Sequence, residues 1–220
     1  MDHAPIETPE RKAFYARIDK QNMTPLWAVL SGLITPEPRS GCVPALWRFH
    51  AVHHIDLDLD STTGLRFHFG ELALAAGFRA AQVLLLGVDR DTLRVWQQAL
   101  VVSVIFHHSN LELPIDFERR LVPFLVTPRM HGIHHSRRSA DMNSNYSSLL
   151  SWWDRLHRSL RLNVPQASVT IGIPGFSGPE DVTLAASLTL PFRQDPRLQA
   201  LRNPESQPLE VVSLTERRTC

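Results

Sequence analysis

The chain has 220 residues and a formal charge of +1 from 23 basic and 22 acidic side chains, which gives one domain room for a sizeable core and no basic excess for a nucleic-acid partner. Cys42 and Cys220 are the only cysteines, which excludes a four-cysteine zinc site, a cysteine-ligated iron–sulfur cluster and a dense disulfide framework, and places the chain facing a reducing compartment. Histidine is the outlier: 11 residues, roughly twice ordinary usage.

Residues 1–44 read as a divergent leader. Met1 to Lys20 is too charged to offer the apolar stretch of a signal peptide. A short charged helix is expected around Arg11 to Lys20, then an apolar stretch Leu26 to Ile34 and the breaker-rich TPEPRSG at 35–41. From Pro44 the pattern tightens into WRFHAVHH, a predicted helix, followed by the acidic IDLDLDST loop and the segment GLRFHFGE. Leu72 to Val88 and Leu93 to Phe106 are apolar, free of proline and separated by Asp89-Arg90-Asp91, which predicts a helical hairpin. The two runs are shorter than the about 20 residues of a full membrane span. Arg79, Arg94 and Gln97-Gln98 weaken the membrane reading further, whereas the arginines from Arg119 to Arg161 fit a cytoplasmic flank. A re-entrant or tilted pair of helices accommodates both.

Asn110 to Pro128 carries three prolines and reads as a loop with short helices leading into MHGIHHS, and NYSSLLSWWDRLHRSL at 145–160 is aromatic-rich and predicted helical. Residues 45–163 therefore form a histidine-rich domain, and 164–220 an extended, proline-rich tail packed on it and fraying by about Glu205.

Eight of the 11 histidines fall in three clusters: His50, His53 and His54; His107 and His108; His131, His134 and His135. In HxxHH the side chains stand at i, i+3 and i+4, on one face of a helix and within reach of a common metal or a close metal pair. Two copies by accident are expected at roughly one in a thousand. Imidazole-rich ligation without thiolates suits iron, zinc, copper or nickel, and seven or eight histidines are too many for one ion. There is no HExxH, which demotes zinc proteolysis. His3 and His157 stand apart and read as ordinary surface or core histidines.

In order and spacing, WRFHAVHHIDLDLDSTTGLRFHFGE, IFHHSNLELP, RMHGIHHS and NYSSLLSWWDRL resemble the fatty acid hydroxylase superfamily, the group that includes sterol desaturases and methyl sterol oxidases. The resemblance extends from residue 45 to about 195. It implies an all-α, integral-membrane or membrane-associated protein in which two irons activate O2 to hydroxylate or desaturate a lipid C–H bond. His50, His53, His54, His108, His131, His134 and His135 match ligand positions, with His107 a weaker candidate. His68, Asn145 and Asp154 match recurrent motif positions and are expected to orient or support the ligands. Electrons are expected from a separate donor protein, since the chain has neither a GxGxxG in a βαβ unit nor cysteines for a cluster. The family's further HxxxH or HxxxxH motif before the first HxxHH has no counterpart between Asp2 and Phe49, so up to two ligands are missing. The chain is then a fragment or a degenerate member, expected to bind fewer than two irons and to turn over poorly. Two further readings stay open: a non-catalytic family member, and a soluble metal-dependent hydrolase using Glu112 or Asp141 as base.

Overall fold

The structure, a computed structural model, describes residues 44–200. The expected leader elements at 11–20, 26–34 and 35–41, and the fraying of the tail near Glu205, lie outside the described residues. The helices are α1 (Pro44–His54), α2 (Phe69–Leu86), α3 (Arg90–His107), α4 (Ile115–Leu121), α5 (Pro128–His134), α6 (Ser139–Met142), α7 (Trp152–His157), α8 (Leu184–Thr189) and α9 (Pro196–Ala200). Among the described residues there is no strand, and two isolated bridges, Leu125 to Leu150 and Ser136 to Ile171, pin loops together. The fold is all-α, as expected.

The predicted hairpin is α2 and α3, and local chemistry sets its ends. His68 caps α2 with its Nδ1 accepting the Gly70 N–H, and Gly87 closes it in the left-handed region at φ 66°. Asp89 then caps α3, its carboxylate accepting the Asp91 and Thr92 N–H groups. The break therefore falls at 87–89, slightly before the expected 89–91. Phe69–Leu86 is long and apolar enough to cross a membrane, and almost none of it is buried against protein. Leu84, Leu85 and Leu86 at its end, and Val95, Val101, Val102 and Ile105 along α3, are exposed.

The hydrophobic core lies elsewhere. Trp47, Ala51, Val52 and Ile55 of α1 and its C-terminal flank pack with Met142 and with Ile173, Phe176, Leu190 and Leu198 of the C-terminal segment. That segment is irregular but holds short helices and closes the core over α1. Arg197 fastens it: its Nη1 donates to Gly175 O at 3.0 Å and to Asp181 Oδ1 at 2.8 Å, and its guanidinium lies 3.8 Å above the Phe176 ring.

The segment 145–160 departs from the predicted continuous helix. Helix is confined to Trp152–His157, because Asn145 sits in the left-handed region at φ 53°. The Asp154 carboxylate also draws the Tyr146 and Ser147 N–H groups into a loop at 2.8 and 3.0 Å.

Candidate metal centre

Two short helices with the same spacing face each other. His50, His53 and His54 share one face of α1; His131 and His134 lie on α5, and His135 is its C-cap. His108 is the C-cap of α3, at the end of the apolar hairpin. Although about 80 residues separate the two HxxHH motifs, their rings converge: His53 to His135 is 4.6 Å and His54 to His134 is 4.7 Å between centroids. The ligand nitrogens resolve into two adjacent groups, His53, His108, His131 and His135 in one and His50, His54 and His134 in the other, each with its atoms within 4.8 Å of one another.

The tautomers of three rings follow from their partners. A carbonyl or carboxylate oxygen can only accept, so Nδ1 must be the donor from His108 to Val104 O (2.8 Å), from His134 to Met142 O and Ser144 O (2.9 and 2.8 Å), and from His50 to Glu71 Oε1 (2.8 Å). Each neutral ring is then left with a bare Nε2 lone pair pointing inward. His134 Nε2 is buried with no hydrogen-bond partner.

The Nε2 contacts weigh against a purely hydrogen-bonded cluster. His108 Nε2 lies 3.1 Å from His53 Nε2 and 3.0 Å from His131 Nε2, and His131 Nε2 lies 3.1 Å from His135 Nε2. Because His108 Nε2 is a bare acceptor, His131 must donate to it, and then has no lone pair for His135. Four neutral rings cannot make all three of these contacts hydrogen bonds. One ion satisfies them together: two nitrogens at right angles around a metal at about 2.1 Å stand about 3.0 Å apart. The donor set is all nitrogen, which fits iron, zinc, copper or nickel.

The electrostatics agree. Burial, reinforced by neighbouring imidazoles, holds His53, His54, His131 and His135 well below the ordinary 6.5. Burial lowers His108 to about 4 and His134 to about 3. These six rings are thus neutral and available as ligands at physiological pH. None of the seven is more than 4% exposed.

The remaining expected residues fall around this cluster. His107 is buried, its ring 4.1 Å from that of His131, but its nitrogens belong to neither group. His68 points away: its Nε2 donates to Leu188 O at 3.2 Å, tying the start of α2 to α8. Asn145 donates through Nδ2 to Met130 O and Arg161 O at 2.9 and 2.8 Å, anchoring α5. Asp154 shapes the loop whose Met142 and Ser144 carbonyls orient His134.

Of the two proposed hydrolytic bases, Glu112 is exposed, and Asp141 is buried in an ion pair with Arg161 at 2.8 Å. No carboxylate joins either nitrogen group among the described residues, so the hydrolase reading finds no base at the site. Sequence reasoning missed two carboxylates that support the clustered histidines and the helices that carry them. Glu71 binds His50. Glu118, buried on α4, accepts from Thr127 Oγ1 at 2.6 Å and Arg129 Nε at 2.7 Å and so holds the start of α5. A carboxylate three residues after His68 was the available signal for the first; nothing local marks the second.

The family model described as fatty acid hydroxylase matches residues 39–159. An ornithine lipid hydroxylase, OlsE, from Rhizobium tropici is 33% identical over 136 residues, 60% of this chain and 39% of that protein. A methylsterol monooxygenase 1 from Danio rerio is 30% identical over 111 residues, 49% of this chain and 35% of that protein. A gentisate 1,2 dioxygenase 1 from Aquipseudomonas alcaligenes is 44% identical over 45 residues, 20% of this chain and 13% of that protein. The chain thus spans two-fifths or less of the length of these relatives. No solved structure matches.

Proposed function

The chain belongs to the fatty acid hydroxylase family, and on that premise we propose that it is an oxidoreductase that hydroxylates or desaturates a lipid C–H bond, sterol or fatty acyl, with O2 at a histidine-held di-iron centre. The observation that carries the reading is the convergence of seven buried imidazoles into a group of four and a group of three. His53, His108, His131 and His135 would hold one iron, and His50, His54 and His134 the other. When bound, the irons would supply O2 activation.

The chain's own residues prepare that chemistry. The Val104, Met142 and Ser144 carbonyls and the Glu71 carboxylate keep protons on Nδ1, so the inward nitrogens stay free as donors. Burial of all seven rings excludes bulk water. The exposed apolar faces of α2 and α3 suit contact with a membrane, where a lipid substrate resides, and the arginines from Arg119 to Arg161 favour a cytoplasmic orientation for the histidines. A separate protein delivers the electrons. The lipid relatives, an ornithine lipid hydroxylase and a methylsterol monooxygenase by name, support a lipid substrate.

The test uses the full chain, purified in detergent, with excess Fe(II), a reductant and an ornithine lipid or a methylsterol under isotopically labelled O2. Expected are slow, metal-dependent and O2-dependent lipid oxidation, label in any hydroxyl formed, and loss of turnover in His134→Ala. Turnover that continues without O2 would sink the oxygenase reading. Metal binding with no lipid oxidation would identify a non-catalytic member, and clean partition into the aqueous fraction without detergent would remove the membrane.

A further inference from the structure

The first turn of α2 departs from an ordinary helix start. His68 is its N-cap, so Glu71 stands at the third helical position, where a glutamate commonly turns back to the N-cap amide. Here the side chain crosses to α1 instead, and Oε1 accepts the His50 Nδ1–H at 2.8 Å. Gly70 makes the approach possible: a Cβ at that position would lie 2.6 Å from Phe49 Cε1, so any larger residue would push the turn away from α1.

Glu71 is also placed where a carboxylate is costly. It is 6% exposed, and its second oxygen, Oε2, is buried with no hydrogen-bond partner among the described residues. The N-terminal end of α2 offsets part of that cost through the helix dipole. Capping does not account for the rest, since His68 already performs it. The contact that remains is His50, approached on Nδ1, while the opposite nitrogen, Nε2, faces His54 Nε2 at 3.1 Å. Glu71 therefore lies behind a member of the three-imidazole group and outside both groups of donor nitrogens.

We propose that Glu71 is a positioning residue for the three-imidazole group: it fixes His50 with Nε2 bare and inward, and sets a negative charge behind a group that has one imidazole fewer than its neighbour. A carboxylate on the far nitrogen raises the basicity of the ring it holds and locks its orientation. The RFHFGE segment thereby acquires a division of labour. His68 starts the helix, Gly70 lets it approach α1, and Glu71 attaches the membrane-length helix α2 to the ligand face. This inference rests on the metal-centre reading.

Co(II) titration of the full chain in detergent is the test, read by ligand-field absorption and metal counting, with thermal unfolding of the metal-free protein alongside. The wild-type chain is expected to show a tight class from the four-imidazole group and a weaker class from the three-imidazole group. Glu71→Ala should weaken the weaker class about 10- to 100-fold and alter its spectrum, leaving the tight class unchanged. Glu71→Gln keeps an acceptor for the His50 proton but removes the charge, and should fall between the two. Its near-identical shape keeps the test usable if the alanine variant does not fold. Wild-type affinity in both classes for Glu71→Gln and for any folded Glu71→Ala overturns the proposal, as does equal weakening of both classes, which would mark a general structural role. A wild-type chain that binds no Co(II) overturns the metal-centre reading itself and this inference with it.

Discussion

The adjacent histidines at the end of α3 give the sharpest test of the ligand assignment. His108 Nε2 lies within 3.1 Å of two other inward nitrogens, whereas His107, equally buried beside it, contributes to neither group. His108→Ala removes one of four donors. If a four-ligand site of the structural-zinc kind binds with about 10–16 kcal/mol, each donor carries about 3 kcal/mol, so the tight class should weaken roughly 100-fold or more. His107→Ala removes a packed ring but no donor. It should cost about 2 kcal/mol of folding stability and leave metal affinity within a few-fold of wild type. Co(II) titration paired with thermal unfolding reads both quantities on each variant. Equal loss of metal binding in the two variants would show that His107 is a ligand and that the four-nitrogen group is drawn wrongly.

Three more outcomes follow from the same geometry. Asp154→Asn must turn an amide NH2 toward one of the N–H groups of Tyr146 and Ser147 that the carboxylate now receives, and should destabilise the fold by about 1–3 kcal/mol in thermal or chemical unfolding; an unchanged midpoint would contradict the loop anchor. Gly70→Ala should cost about 1–3 kcal/mol, because its Cβ would meet the Phe49 ring, and unaltered stability would show that the two helices separate freely. For pH, the folded-state values of His53, His54, His131 and His135 lie well below 6.5, with His108 at about 4 and His134 at about 3. The unfolded chain therefore binds protons that the folded chain refuses. Stability of the metal-free protein should be at its full value above about 6.5 and fall as pH drops toward 4 to 3. A flat stability profile across that window would mean that the rings are already protonated or solvated.

What could be read from the sequence was what is local. HxxHH declares a helix face by itself, and the apolar runs on either side of Asp89 declare a hairpin, since both signals are complete within a few turns. The apolar run begins at Leu72, three residues after α2 does, and histidine is not among the usual capping residues, yet His68 Nδ1 performs the cap. The helix predicted through 145–151 failed for a related reason. Leu149, Leu150, Trp152 and Trp153 suggest a helical face, but Asn145 adopts a left-handed backbone and Asp154 captures two amides, so competing side-chain bonds win over periodicity. The C-terminal segment shows no period at all, because its core contribution comes from single residues such as Phe176 and Leu190 spaced between prolines.

The carboxylates show where local reading ends and why. Glu71 reaches across 21 positions to His50, and Glu118 reaches nine positions to Thr127 and 11 to Arg129. In the sequence Glu118 is one acid in an ordinary helix, with nothing to separate it from solvated neighbours such as Asp91 or Asp116, and Glu71 is marked only by standing three residues after His68. Folding separates them, by burying Glu71 and Glu118 while Asp91 and Asp116 remain exposed. A buried carboxylate is retained only where it is paired, so burial together with a partner on a histidine-bearing helix is the physical mark of a supporting residue. By that mark each histidine-bearing helix has its own brace: α1 the start of the apolar helix α2, and α5 the short helix α4. Each HxxHH helix therefore depends on an acid that lies outside the HxxHH motif itself.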